Sequence, residues 1–153
     1  MDKVWGFLHL FFAFSFVGSL VVAEWNGRAA RATTDWAQRA LLFRIVSMSS
    51  RVAGVGGLVL LGVFGNIWSV HAGYRMATDT WPRLVNGLWL LAVVSMTFLV
   101  LPAASRLHGI ATSGAGGGAT DGWDAALKRW RAGNVLLSVL YLGLLVLMVS
   151  HWR

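Results

Sequence analysis

Of the polar side chains that interrupt the apolar stretches of this sequence, three coincide in depth: His9 in the first, Asn66 in the second and Asn86 in the third. Such groups are costly in an apolar medium unless they are paired, so each calls for a partner or a ligand. Each stands about five residues inside its own run, which is about 7 Å of helix rise. Three groups at one depth on three helices are expected to meet. Two kinds of chemistry are then open to them. Amide and imidazole groups can tie helices together, at about 0.6 kcal/mol per bond in a membrane. Alternatively they line a site in which neutral His9 is an axial ligand of b-type haem, a metal ligand or a proton carrier. His71 lies on the same side, about 7 Å nearer the surface by helix rise. His9, Asn66, Asn86 and His71 are therefore the candidate cofactor-binding residues, with haem b as the candidate cofactor.

Other chemistry is excluded by residue type. The absence of cysteine removes disulfides, thiolate metal sites and a cysteine nucleophile. The six acidic residues, Asp2, Glu24, Asp35, Asp79, Asp121 and Asp124, all fall in connections or at the ends of apolar runs. Carboxylate pairs for acid-base work within those runs are thus not available. No catalytic residue and no metal-ligand set is assigned. The glycine-rich stretch 109–122 lacks the Lys-Ser/Thr that follows a phosphate-binding loop, and reads instead as a flexible connection.

To hold groups at a common depth the chain needs helices that cross an apolar layer. Its 57% hydrophobic and 12% charged residues, with a mean hydropathy of +0.65, do not describe a soluble globule. Four runs reach the length that a hydrocarbon core of about 30 Å requires: 4–23, 52–70, 82–101 and 134–150. The expected fold is an all-α integral membrane protein, a four-transmembrane-helix bundle forming one domain over 1–153. A net charge of +7 would suggest nucleic acid in a soluble protein, but these cations flank apolar runs, where they meet lipid headgroups.

The cations also orient the bundle. Arg28, Arg31, Arg39, Arg44 and Arg51 lie between the first two runs, and Arg106, Lys128, Arg129 and Arg131 between the last two. That is nine of the thirteen, against Lys3, Arg75, Arg83 and Arg153 on the opposite side. The positive-inside rule then predicts both termini and the 71–81 loop outside. Trp5, Trp68, Trp81 and Trp152 read as the outer aromatic belt, and Trp25, Trp36, Trp123 and Trp130 as the inner one. Asp35 with Gln38 three residues on reads as a capping box. It opens an amphipathic helix over 36–50, expected at the inner surface and leading into the second span. Gly54, Gly56, Gly57, Gly62 and Gly65 make that span smooth enough for close helix approach. Trp89 is expected to be core, and His108 to be solvated.

The order of features resembles a group of small bacterial four-span proteins. The matching segments are LHLFFAFSFVGSL with His9, ALLFRIVSMSSRVAGVGGLVLL, WPRLVNGLWLL and RWRAGNVLLSVLYLGLLVLMV. The group includes copper-resistance D-like membrane domains, four-span protoporphyrinogen oxidases and an uncharacterised branch to which this chain is most similar. In the oxidases, the resemblance implies, a first-span histidine matching His9 serves haem, whereas their third-span lysine falls here at Val85 or Asn86. Two functions follow as expectations. One is a non-catalytic accessory or assembly subunit of a larger complex, respiratory or photosynthetic, in a bacterial cytoplasmic membrane, surrounded by lipid and other membrane subunits. The alternative is a b-type haem protein using His9, including a divergent oxidase-like enzyme.

Overall fold

Each expected span lies inside a longer helix. The computed structural model describes residues 2–75 and 78–151, so Trp152 and Arg153 fall outside it. Helix α1 is Asp2–Ala32. Helix α2, Trp36–Ser49, continues through a π-helical stretch, Ser50–Gly56, into α3, Gly57–His71. Helix α4, Thr80–Ser95, continues through a second π-helical stretch, Met96–Val100, into α5, Leu101–Ala115. Helix α6 is Trp123–His151. Among the described residues there are thus four rods, each long and apolar enough to cross a membrane. The two central rods, Trp36–His71 and Thr80–Ala115, have 36 residues each, about 54 Å at the helical rise, which exceeds a hydrocarbon core of about 30 Å.

The surplus length lies at one end, the end that carries the connections 33–35 and 116–122. There the rods prolong the bundle into a collar of α2, α5 and the adjoining parts of α1 and α6. The collar has its own core, in which Ala30, Phe43, Val46, Ala104, Leu107, Ala111 and Trp130 are fully buried. Helix α2 is therefore not a helix lying along a surface. It runs on as the coaxial extension of α3, wedged between α1 and α5, because Phe43 and Val46 find a core beyond the span.

The 109–122 stretch is likewise helical as far as Ala115. Composition suggested flexibility, but packing decides otherwise. Leu107 and Ala111 are buried, and Gly114 leaves the space into which the Trp36 ring fits, with a Cβ there falling 2.8 Å from the indole. The helix stops where Gly117 takes a φ of +75°, and Gly118 N donates to Ser113 O at 2.9 Å. His108, expected to be solvated, is half-buried and joins α5 to α2 through Nδ1 and Ala40 O at 3.0 Å. Asp35 caps α2 through Ala37 N at 2.9 Å. The reciprocal half of the box is replaced, since Gln38 Oε1 accepts from Thr33 Oγ1 at 2.7 Å.

The glycines of the second rod do bring helices together. Gly57 lies against the α1 backbone, where a Cβ would stand 3.4 Å from Phe16 N, and the Trp89 indole occupies the space above Gly62. The π-helical stretches touch one another at mid-bundle, with Met96 seated over Gly54. Contacts between α1 and α6 are sparse, so the fourth side of the bundle is the open one.

Candidate functional site

The three polar groups of the apolar runs resolve into two separate stations on opposite flanks of α3. Between α1 and α3, His9 is 8% exposed and its Nδ1 lies 3.0 Å from Leu61 O. A carbonyl only accepts, so Nδ1 carries the proton, and in the neutral ring the electron pair is then at Nε2. The imidazole rests on Gly65, where a Cβ would stand 2.8 Å from Nδ1, and the Trp68 ring leans over it at 5.9 Å between centroids. Gly65 is what lets the ring enter.

Between α3 and α4, Asn66 and Asn86 form a reciprocal amide pair, with both N–H···O distances at 2.9 Å. Asn66 also donates to Gly62 O at 2.8 Å. The expected meeting therefore takes place between the two asparagines, while His9 bonds to main chain on the other flank. The reason is angular: Leu61 and Gly65 lie on the α1 side of α3, and Asn66, one position beyond Gly65, points about 100° away around the helix. His71 is exposed, and its Nδ1 bonds within its own helix to Ile67 O at 2.9 Å. Its ring approaches Trp5 at 6.2 Å.

Two tryptophans add interhelical bonds to main-chain carbonyls. Trp89 Nε1 donates to Leu58 O at 2.7 Å, and Trp81 Nε1 to Leu147 O at 3.1 Å. These bonds connect α4 to both of its neighbours.

The most elaborate side-chain cluster is in the collar, where composition pointed only to an interfacial belt. Trp130 is fully buried and Trp123 is 9% exposed, whereas Trp25 alone of that set stands outward at 76%. Trp36 meets Trp123 edge-on at 5.3 Å, and Phe43 meets both Trp123 and Trp130 in the same manner at 5.5 and 5.4 Å. The Arg39 guanidinium lies 4.4 Å from the Trp36 ring and 5.1 Å from the Trp123 ring. Its Nε donates to Ala30 O at 3.2 Å and Thr33 O at 3.0 Å, at the carboxyl end of α1. The sequence signal for this cluster, four aromatic residues and an arginine spread over 36–130, becomes legible only once α2 is known to stand beside α6.

No family model, curated protein or solved structure matches the chain.

Proposed function

We propose that the chain is a non-catalytic integral membrane subunit, an accessory or assembly component of a larger complex in a bacterial cytoplasmic membrane. One observation carries this reading. Polar side chains on three helices of the bundle hold helices together: His9 on Leu61 O, Asn66 on Asn86, Trp89 on Leu58 O and Trp81 on Leu147 O. Outward the chain offers packing surface. Phe16 is buried and Phe12 stacks on Phe64 at 5.5 Å, while Phe7, Phe11 and Phe14 face away from the bundle. Lipid accepts such a face, and so does a neighbouring helix, for which close packing is the driving force. The test is native electrophoresis in mild detergent. Migration with other membrane subunits is the expected result, and a bare monomer with no co-purifying membrane protein would overturn the reading.

The orientation belongs to the same proposal, with both termini outside and the collar in the cytoplasm. Nine of the thirteen cations lie on the helical segments toward the collar end, and this asymmetry sets topology in multi-pass proteins. Fusion reporters after Ser113 and after Asp79 are expected to report cytoplasm and exterior respectively. The opposite pair of results would invert the bundle.

A second reading rests on the tautomer of His9. With Nδ1–H held by Leu61 O, Nε2 is the free electron pair, as in histidines that ligate a metal centre while their other nitrogen donates to a carbonyl. His9 would then hold haem b, which supplies one-electron transfer when bound. Protein purified from cells supplied with haem would show a Soret band that His9→Ala abolishes. A featureless spectrum from the wild-type protein would remove this reading.

A further inference from the structure

The collar has one side unlike the others. At the levels fixed by the Ser47–Ser105 hydroxyl pair at 3.1 Å and the Phe43–Trp130 contact at 5.4 Å, three of its four segments turn polar groups outward. Arg28 does so on α1, where Trp25 is the one large apolar side chain turned out beside it, Arg106 and Thr112 on α5, and Lys128 and Arg129 on α6. Helix α2 instead exposes Leu41 at 57%, Ile45 at 42% and Met48 at 67%, and the row runs into Val52 at 66%. The intervals of four and three residues place Leu41, Ile45 and Met48 on one stripe of α2, the spacing of a coiled-coil seam, and Val52 follows in the π-helical stretch.

Lipid does not account for the row. Val52 begins the second apolar run, and Leu41 precedes it by eleven positions, about 16 Å along the helix. At that level the neighbouring faces carry charge, so the bilayer core cannot extend there on one side of the bundle only. An apolar stripe in such a position marks a protein contact.

The edges of the stripe say more about its occupant. Arg44 and Arg51, seven positions apart and both exposed, line one edge. In seam notation Leu41 and Met48 are d positions, Ile45 is an a position and Arg44 a g position, with Arg51 following in the π-helical stretch. A parallel partner meets g with its e positions. A second copy of this chain, inserted with the same orientation, has no acidic residue anywhere from 36 to 71 to offer there. Two copies would therefore leave the arginines uncompensated.

We propose that the Leu41–Val52 stripe is the docking face for a helix of another membrane subunit, one whose own apolar stripe is edged by carboxylates seven residues apart. The proposal rests on the accessory-subunit reading and specifies where and what the partner is. A photo-crosslinking residue placed at Leu41 or Met48, in the full chain in its native membrane, is expected to yield an adduct with a different protein. The captured peptide is expected to be helical in pattern with acidic residues seven apart. Arg44→Glu/Arg51→Glu should lower the adduct yield about tenfold, since charges at the edge of an interface govern pairing, and reversing the captured carboxylates to lysine should restore it. Arg106→Glu, on another face, should leave it unchanged.

Adducts with lipid only, adducts with a second copy only, no adduct, or a protein adduct indifferent to the arginine reversal would each overturn the proposal. Probes at Phe11 and Val139 separate its failure from that of the wider reading. Protein adducts at those positions but not at Leu41 or Met48 would remove the stripe as the docking face while leaving the chain an accessory subunit.

Discussion

Trp130→Ala is expected to destabilise the protein by about 3–5 kcal/mol, the range for truncating a buried aromatic side chain to alanine. Trp130 is fully buried in the collar, edge-on to Phe43 at 5.4 Å, with its ring lying directly over Gly27 of α1. It joins α6 to α1 on the side of the bundle where other contacts between these helices are sparse. Its indole Nε1 has no hydrogen-bond partner among the described residues, so the ring acts by shape. Trp130→Phe should therefore cost far less, about 1 kcal/mol, as a smaller change of volume within the same class. The converse substitution, Gly27→Leu, inserts a side chain into the space the ring fills and should cost about 1–3 kcal/mol by overpacking. Combined with Trp130→Ala it should do less harm than the two changes summed, because contacting sites couple. Unfolding titrations in mixed micelles, followed by far-UV circular dichroism, measure all four variants. A loss below about 1 kcal/mol for Trp130→Ala would show that the indole does not hold α6 to α1.

The four apolar rods were legible because length and hydropathy alone define them. Their terminal ends also register in part as the sequence suggests, since Asn66 meets Asn86. What misled was the inference from polarity to connection. By sequence the first span ends at Ala23 and a helix over 36–50 lies at the inner surface; that helix does lead into α3, but α1 runs on to Ala32 and α2 packs between α1 and α5. Glycine content likewise made 109–122 read as mobile, although Gly114 serves the opposite purpose by admitting Trp36. In both stretches the deciding term is long-range packing of alanine, leucine and tryptophan faces, which single-residue preference does not contain. The polar groups show the same limit. Helix rise placed His9, Asn66 and Asn86 at one depth, but rotation about α3 assigned them to different flanks.

Arg39→Ala is the other substitution with a large expected effect, and it tests whether the collar is an integral part of the bundle. The guanidinium performs three tasks at once. It lies between the Trp36 and Trp123 rings, at 4.4 and 5.1 Å, where a cation gains about 0.5–2 kcal/mol per favourable face. It donates to Ala30 O and Thr33 O, and hydrogen bonds from a charged group are worth about 1.5–3 kcal/mol. It also sets a positive charge at the carboxyl end of α1, where the exposed carbonyls carry partial negative charge. These tasks share one side chain, so they do not add in full. A loss of about 2–4 kcal/mol is expected for Arg39→Ala on those magnitudes. Arg39→Lys retains the charge but neither the planar stack nor the geometry of the Nε donor. It should recover only the helix-end term, about 0.3–1 kcal/mol of the loss. Hydrogen exchange locates the effect. Amides of α1 from Gly27 to Thr33 and of the first turn of α2 should exchange faster in Arg39→Ala, while those around Asn66 and Asn86 keep their protection, because the terminal end is tied by its own amide pair. Unchanged exchange in the last turn of α1 would mean that the aromatic rings hold the collar without the cation. Uniform acceleration through α3 and α4 would mean that collar and bundle unfold as one unit, with Arg39 bracing the whole.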